Sequence, residues 1–150
     1  MLIENCSLVS VITATCNSEK TILDSLNSLR NQTYSHIEHI VVDWNSTDNT
    51  LDLIRQNSPN SKIVQCTKPG IYEAFNYGIK RSKGRFITFL NSDDFFVDKN
   101  HLLNGINLIE SQSSSGSYGD LRYITKDKKK IVRIWRSGNY SITNWKYGWM

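Results

Sequence analysis

The sequence is poor in cysteine and proline and has no long apolar run. Its three cysteines, Cys6, Cys16 and Cys66, form an odd set without the close spacing of zinc ligands, so we expect neither disulfides nor a zinc site. No segment approaches the roughly 20 apolar residues that span a bilayer. Residues 1–6 also lack a basic stretch followed by an apolar one, which predicts no signal peptide and a cytoplasmic location.

Glycine is missing from the loop after the first apolar run, Thr13-Ala-Thr-Cys-Asn-Ser18. Dinucleotide-binding folds use a Gly-x-Gly-x-x-Gly turn there to bring the backbone close to a pyrophosphate. Asp43 ends the second apolar run, where such folds bind ribose, but the glycine-free turn argues against that role. The P-loop lysine motif is also absent. These absences disfavour a nicotinamide or ATP site.

The composition is that of one ordinary domain, with 150 residues, 39% hydrophobic and 21% charged, as is typical of soluble globular proteins. The net charge of +4 is uneven, because residues 120–150 hold eight Lys or Arg against two acids. Lys126 and the run Lys128-Lys-Lys130 predict a solvated hairpin turn. Peripheral attraction to an anionic membrane surface is the alternative that this basic segment leaves open.

Strand and helix patterns alternate along the chain. Short β-branched runs predict strands, and apolar residues at helical spacing predict helices between them. We expect Ser18 and Asp98 to cap helices and Gly84 to end one. This order predicts an α/β fold with a parallel sheet and helices on both faces, followed by two strands around the basic turn. The six predicted strands are 8–13, 37–42, 62–66, 85–90, 117–125 and 130–136, and the helices carry Ile22, Leu26, Leu29, Leu51, Ile54, Ile71, Phe75, Ile79, Leu102, Ile106 and Ile109.

Polar or small residues follow each of the first four predicted strands, at 13–17, 43–48, 67–70 and 91–94. The carboxyl ends of parallel strands share one edge, where open α/β sheets bind ligands and helix N-termini favour anions. The last cluster, Asn91-Ser-Asp-Asp94, adds adjacent carboxylates that suit a hard divalent cation, with a simple Asn/Asp turn as the alternative. Four clusters on one edge predict a ligand site, and the acids among them argue against nucleic acid.

Four segments, taken in order, resemble the family 2 glycosyltransferases, which have the GT-A fold. Residues 9–17 and 40–50 look like the family's first two strands with their loops. Residues 68–79, Lys-Pro-Gly-Ile-Tyr-Glu-Ala-Phe-Asn-Tyr-Gly-Ile, are similar to a Gly-Ile-Tyr-Asp-Ala-Met-Asn segment of one bacterial subgroup. Residues 89–94, Phe-Leu-Asn-Ser-Asp-Asp, stand in the place of the metal-binding Asp-x-Asp motif.

The resemblance implies a Rossmann-like GT-A fold with a mostly parallel sheet, cut short in its acceptor-binding half. It implies an inverting transferase that moves a sugar from a nucleotide-diphosphate sugar to a saccharide or lipid-linked acceptor in surface polysaccharide synthesis, at the inner face of the membrane. Residues 1–150 would form one domain, with a nucleotide-sugar-binding part at 8–96 and the start of the acceptor side at 117–150. A catalytically incomplete nucleotide-sugar-binding module is the alternative.

The same resemblance implies individual roles. Asp43 would hydrogen-bond the base, and Asp93 would coordinate Mg²⁺ or Mn²⁺ on the diphosphate. Such a metal neutralises the charge that develops on the leaving nucleoside diphosphate. The other residues implied in nucleotide-sugar binding are Thr13, Ala14, Thr15, Asn17, Lys68, Gly70, Asn91, Ser92 and Asp94.

Three positions depart from the family pattern, and no catalytic base is assigned. Asn91 replaces the first acid of the metal motif, which predicts weaker metal binding. Cys16 stands where an aromatic usually stacks on the base, and Trp44 stands where a second acid is common, so the base specificity stays open. A general base must reach the acceptor hydroxyl, and Asp120 is the one candidate for it after Asp94.

Overall fold

A computed structural model describes residues 7–128 and 130–146 of the chain. The predictions made for residues 1–6 and for Lys129 lie outside the described residues, as do residues 147–150. No helix in the described part is long and apolar enough to cross a membrane. The elements in chain order are β1 Val9–Thr15, α1 Ile22–Arg30, β2 Ile37–Asp43, α2 Thr50–Asn57, β3 Lys62–Gln65, α3 Ile71–Ile79, β4 Phe86–Phe89, α4 His101–Ser111, β5 Leu121–Ile124, β6 Ile131–Trp135 and α5 Ile142–Lys146.

Four parallel strands form the main sheet in the order β3-β2-β1-β4. The register sets Thr15 beside Asp43 and Asp43 beside Gln65, so these three strands end at one edge. This confirms the predicted parallel sheet. Strands β5 and β6 form a separate antiparallel hairpin whose register shifts between Tyr123 and Ile124.

The helices lie on both faces of the main sheet, as predicted. On one face Val11 of β1 packs in a cluster with Leu29 of α1 and Ile106 of α4. On the other face Ile12 packs in a cluster with Ala74 of α3. Successive strand residues point to opposite faces, so a β1 that is apolar at both positions must be covered on both sides.

Two glycines allow close approaches. A Cβ on Gly78 of α3 would lie 2.5 Å from Cγ2 of Ile12, so glycine lets this helix sit close to the sheet. Gly84 does not end α3 as predicted, because the helix already ends at Ile79. Its N–H instead donates to Oγ of Ser10 at 2.8 Å, and a Cβ there would lie 2.5 Å from that oxygen. Gly84 thus belongs to the entry into β4.

Candidate functional site

Strand β1 is longer than predicted, and this changes the setting of the first cluster. The first strand was expected to end at Thr13, but Ala14 and Thr15 pair with Val42 and Asp43 of β2 and also belong to β1. Thr13 has no exposed surface, Thr15 is 5% exposed and Ala14 is half-buried. The prediction of a loop here is wrong because the ladder with β2 continues to Asp43. In this conformation Thr13 supports the edge from within the sheet.

The side chain of Thr13 is held by a buried histidine. Its Oγ1 lies 3.0 Å from Nε2 of His39, and Nδ1 of His39 lies 2.7 Å from Oγ of Ser61. Burial lowers the pKa of His39 from 6.5 to about 4, so the ring is neutral at physiological pH. His39 is therefore a structural residue beneath the edge.

Asn17 joins the loop after β1 to the loop after β2. Its N–H donates to Oγ of Ser46 at 2.9 Å, and its Oδ1 accepts the N–H of Thr47 at 2.8 Å. Asn17 adopts a left-handed backbone with a φ of +49°, a conformation that Asn tolerates better than most residues. The N–H of the next residue, Ser18, donates to Oγ1 of Thr50 at 2.7 Å. Hydrogen bonds therefore hold the loop after β1 against the loop after β2.

Asp48, just before α2, also links these two loops. Its Oδ1 accepts the N–H of Thr50 at 3.0 Å, and its Oδ2 accepts the N–H of Glu19 at 3.1 Å. Desolvation raises the pKa of Asp48, but the hydrogen bonds from Thr50 and Glu19 outweigh it and the pKa is lowered. Asp48 thus connects the start of α2 to the loop after β1.

Asp43 has no exposed surface. Its Oδ2 accepts the N–H of Ser46 at 3.0 Å, and its Oδ1 accepts the hydroxyl of the same serine. In this conformation Ser46 occupies both carboxylate oxygens. A hydrogen bond from a nucleotide base to Asp43 stays a prediction, and it requires the loop around Ser46 to move, because Asp43 has no exposed surface.

The loop after β4 carries the predicted metal residue. Asp93 and Asp94 are exposed, and Nδ2 of Asn91 donates to Oδ2 of Asp94 at 2.8 Å. Asp93 has no hydrogen-bond or ion-pair partner among the described residues. Oγ of Ser92 lies 2.8 Å from Oγ of Ser18, which ties this loop to the loop after β1. Ser18 was expected to cap α1, but its side chain makes this loop contact instead.

Two buried polar atoms at this edge have no hydrogen-bond partner. They are Oγ1 of Thr15, at the end of β1, and Oδ1 of Asn91, in the loop after the neighbouring strand β4. A buried oxygen without a partner costs free energy comparable to a lost hydrogen bond. The first and fourth clusters thus each hold an acceptor that a bound ligand or cation can satisfy.

The donor set suits a metal shared with a ligand and does not suit an all-protein cage. The described residues contain no group of three or more His, Cys, Asp or Glu that could hold a metal ion. Mg²⁺ is usually bound by one or two carboxylates together with substrate phosphates and waters. The free carboxylate of Asp93 and the unpartnered amide oxygen of Asn91 fit that mode.

The third cluster lies at the start of α3. Lys68 is exposed, and its carbonyl accepts the thiol of the buried Cys66 at 3.3 Å. Gly70 directly precedes α3 with a φ of +113°, a backbone conformation that L side chains rarely adopt. Glycine at position 70 is thus required by the turn that brings Lys68 to the edge.

Asp120 lies outside this edge, at the base of the β5–β6 hairpin. Its Oδ1 accepts the N–H of Ser137 at 2.9 Å and the hydroxyl of Ser137 at 3.1 Å. These hydrogen bonds, with smaller contributions from Arg136 and Arg122, lower the pKa of Asp120. A carboxylate with a lowered pKa is a poorer proton acceptor, so these contacts speak for a structural role.

Sequence reasoning missed the residues that organise the edge. Ser18 and Glu19 hold the loops in place, yet neither was placed in the site. The available signal was weak, because hydroxyl and acidic residues after a strand are common in ordinary turns.

Comparison with known proteins identifies the family. The sequence profile described as Glycosyl transferase family 2 matches residues 10–149. The chain belongs to glycosyltransferase family 2. This family assignment agrees with the resemblance carried by the four strand-end segments, which the fold brings to one sheet.

The chain is similar to bacterial glycosyltransferases. One relative is the Escherichia coli UDP-Glc:alpha-D-GlcNAc-diphosphoundecaprenol beta-1,3-glucosyltransferase WfaP, to which the chain is 40% identical over 124 residues. The aligned region covers 80% of this chain and 48% of WfaP. The chain thus spans about half the length of this relative.

Solved structures share the fold. Staphylococcus aureus TarS 1–349 in complex with UDP superposes with a TM-score of 0.65 and 34% identity, over 71% of this chain and 33% of TarS. The Pyrobaculum calidifontis mannosyltransferase PcManGT, solved with GDP-Man and Mn²⁺, gives a TM-score of 0.65 at 22% identity, over 84% of this chain and 38% of PcManGT. The second likeness concerns the fold alone. The fold is that of the GT-A glycosyltransferases.

Proposed function

We propose that this chain binds a nucleotide-diphosphate sugar at the carboxyl edge of its sheet and is the donor-binding part of a transferase. The sugar would pass to a saccharide or lipid-linked acceptor in surface polysaccharide synthesis, with inversion, at the cytoplasmic face of the membrane. WfaP is a UDP-Glc-dependent glucosyltransferase and TarS was solved in complex with UDP, and both support a nucleotide-sugar donor for this chain.

The observation that carries the proposal is the contact between Ser18 and Ser92. Their hydroxyl oxygens lie 2.8 Å apart and join the loops that follow β1 and β4. Because these strands are neighbours in the sheet, the residues implied in base binding and those implied in diphosphate binding share one edge. Asn17, Asp43, Lys68 and Gly70 lie on the same edge.

Within this proposal Asp93 and Asn91 would hold a divalent cation, Mg²⁺ or Mn²⁺, together with the diphosphate. When bound, the cation supplies charge neutralisation to the departing nucleoside diphosphate. The chain's own residues do the positioning. Thr15 would donate or accept a hydrogen bond at the edge through its unpartnered Oγ1, and Ser92 would keep the 91–94 loop in register with the loop after β1.

Titration calorimetry tests the proposal with UDP, GDP and TDP, each with and without Mn²⁺. We expect one of the three to bind with a clear dependence on the metal, and we expect Asp93→Ala to remove that dependence. Asp52→Ala is the matched control, because Asp52 is an exposed carboxylate on α2 that pairs only with Arg55, at 2.8 Å, among its described contacts. No binding of any of the three nucleotides would refute the site.

A second candidate function is a nucleotide-sugar-binding module without transferase activity of its own. The favouring observation is that each carboxylate after Asp94 in the described residues is already held by a nearby group. Asp98 accepts the N–H of Asn100, Glu110 the hydroxyl of Ser7, Asp120 that of Ser137 and Asp127 that of Thr125. We expect residues 1–150 alone to transfer little or no sugar in a radiolabelled-donor assay. Robust turnover would show that a base lies within them.

A further inference from the structure

Trp44 is the only aromatic residue in the four polar clusters at the carboxyl edge of the sheet. The clusters are residues 13–17, 43–48, 67–70 and 91–94, and their other members are polar or small. Trp44 is 38% exposed. Single exposed aromatic residues are common on protein surfaces, so the position of Trp44 matters more than its exposure.

Backbone hydrogen bonds fix Trp44 at this edge. Its N–H donates to the carbonyl of Thr15, the last residue of β1, at 2.9 Å. Asn45 then adopts a left-handed backbone with a φ of +50°, and the N–H of Ser46 returns to Oδ2 of Asp43 at 3.0 Å. The chain therefore turns sharply after Trp44, which lies against the end of β1.

The indole of Trp44 is not committed to the packing of the fold. None of the three core clusters formed by the described residues includes Trp44. In particular, Ile54 of α2 packs with Leu26 and Val41 and without Trp44, which argues against a packing role under that helix. Within the part of the chain that the structure describes, the ring also has no hydrogen-bond, aromatic or cation–π partner.

A second observation points to a ligand at the same place. Thr15, whose carbonyl holds the backbone of Trp44, is 5% exposed, and its Oγ1 has no hydrogen-bond partner. Because buried hydroxyl groups are normally paired, this one leaves a hydrogen bond open beside the indole. A nucleoside supplies both complements, a flat base with a π-face and polar groups that donate or accept hydrogen bonds.

We propose that the indole of Trp44 is the stacking surface for the base of the nucleotide donor. This assignment rests on the proposed function, because it concerns the base end of the same donor site. Every base has a π-face, so Trp44 supplies affinity without choosing between uracil, guanine and thymine. The choice among these bases then depends on hydrogen bonds to their edges.

Tyr72 is the competing surface, since it is 78% exposed in the first turn of α3, just after the third cluster. Trp44 is favoured over Tyr72 because its N–H bonds to Thr15, the residue with the unpartnered hydroxyl.

Tryptophan fluorescence of the full chain tests the assignment. A base that stacks on an indole quenches its emission, so we expect whichever of UDP, GDP and TDP binds with Mn²⁺ to quench part of the fluorescence. Trp44→Phe should lose this quenching and yet bind the nucleotide within about threefold of the parent chain in calorimetry, because phenylalanine keeps a ring. Trp135→Phe, on β6, is the matched control and should leave the quenching in place.

Removal of the ring should weaken binding of the same nucleotide. We expect Trp44→Ala to raise the dissociation constant by about 5- to 150-fold, which corresponds to ~1–3 kcal/mol for one base stacked on an aromatic ring. Tyr72→Ala should bind like the parent chain. Circular dichroism checks the fold of each variant, and the Trp44→Phe measurement keeps the test decisive if the alanine variant does not fold.

The outcomes separate this assignment from the donor site itself. Quenching that persists in Trp44→Phe, or a folded Trp44→Ala chain that binds as tightly as the parent, would overturn the role of Trp44 and leave the donor site standing. Weaker binding by Tyr72→Ala than by Trp44→Ala would also overturn it, in favour of α3. No nucleotide binding by the parent chain would overturn the donor site and this assignment together.

Discussion

Ser18 and Ser92 are 74 residues apart in sequence, yet their hydroxyl oxygens lie 2.8 Å from each other at the carboxyl edge of the sheet. The contact arises because β1 and β4 are neighbours although two strands and three helices separate them along the chain. It holds together two loops that the proposed donor must bridge. The most direct predictions therefore concern this pair and its surroundings.

Removal of either hydroxyl should cost little stability but should weaken nucleotide binding. We expect Ser18→Ala and Ser92→Ala each to lower the free energy of unfolding by about 1 kcal/mol, the net value of one hydrogen bond. The double variant should lose less than the sum of the two, because both changes remove the same bond. Urea unfolding and UDP calorimetry measure these effects. Additive losses would show that the two hydroxyls do not interact. Ser82→Ala is the control, because the hydroxyl of Ser82 donates to the carbonyl of Ile79, at the end of α3 and away from the edge.

A methyl group on Gly78 should destabilise the fold. The new Cβ would lie 2.5 Å from Cγ2 of Ile12 and 3.2 Å from Cγ2 of Val42, inside a packed core cluster. We expect Gly78→Ala to lower the free energy of unfolding by about 1–3 kcal/mol, the usual cost of overpacking. Gly116→Ala is the matched control, since nothing lies within 4 Å of its Cβ position and its φ is not positive. A Gly78→Ala protein as stable as the control would contradict the close approach of α3 to the sheet.

Stability should fall as the pH falls from about 6.5 to about 4 because of His39. Burial lowers its pKa from 6.5 to about 4, so between these values the unfolded chain binds the proton and the folded chain does not. The contribution of neutral His39 to the free energy of unfolding is fully present above pH 6.5, and up to roughly 3 kcal/mol of it is lost by about pH 4. Urea titrations at several pH values measure the slope. We expect His39→Gln to flatten the slope of the free energy of unfolding against pH. The control, His36→Gln, changes an exposed histidine and should leave that slope unchanged. An unchanged slope in His39→Gln would refute the assignment to His39.

An acid at position 91 should strengthen metal-dependent binding of UDP and lower the thermal stability of the protein without metal. Asn91 donates to Asp94 at 2.8 Å, so Asn91→Asp replaces an attraction by a repulsion between like charges. We expect a small loss of thermal stability without metal, and UDP binding about tenfold tighter with Mn²⁺, which corresponds to ~1.4 kcal/mol. Thermal unfolding and calorimetry report the two effects. Asn107→Asp, on the exposed side of α4, should change neither, and a metal-independent effect of Asn91→Asp would argue against a cation at this loop.

Much of the fold follows from local patterns. The β-branched runs and the helical spacing of residues such as Leu26 and Ile106 predicted the four parallel strands and the four helices that flank them, and all eight are present. Element ends were less accurate. Thr15 lies in β1 because the ladder with Asp43 continues to that point, and Gly84 packs on Ser10 although a glycine after a helix usually ends it. Helix α5 was not predicted, because residues 142–146 show no clear apolar period.

By itself the sequence determined the order of elements and the edge at which the polar clusters gather, because these depend on periodicity and on residue types that are local in the chain. Its resemblance to the family came separately, from four motif segments, and the match of the family profile confirmed it. Only the tertiary structure decided what each polar side chain does. The structure shows that Asp43 is buried and accepts hydrogen bonds from Ser46, while its predicted contact with a nucleotide base stays a prediction. Ser18 was predicted to cap a helix, yet its side chain contacts Ser92. Hydrogen-bond partners depend on which strands become neighbours, and the order β3-β2-β1-β4 is set by packing of the whole sheet.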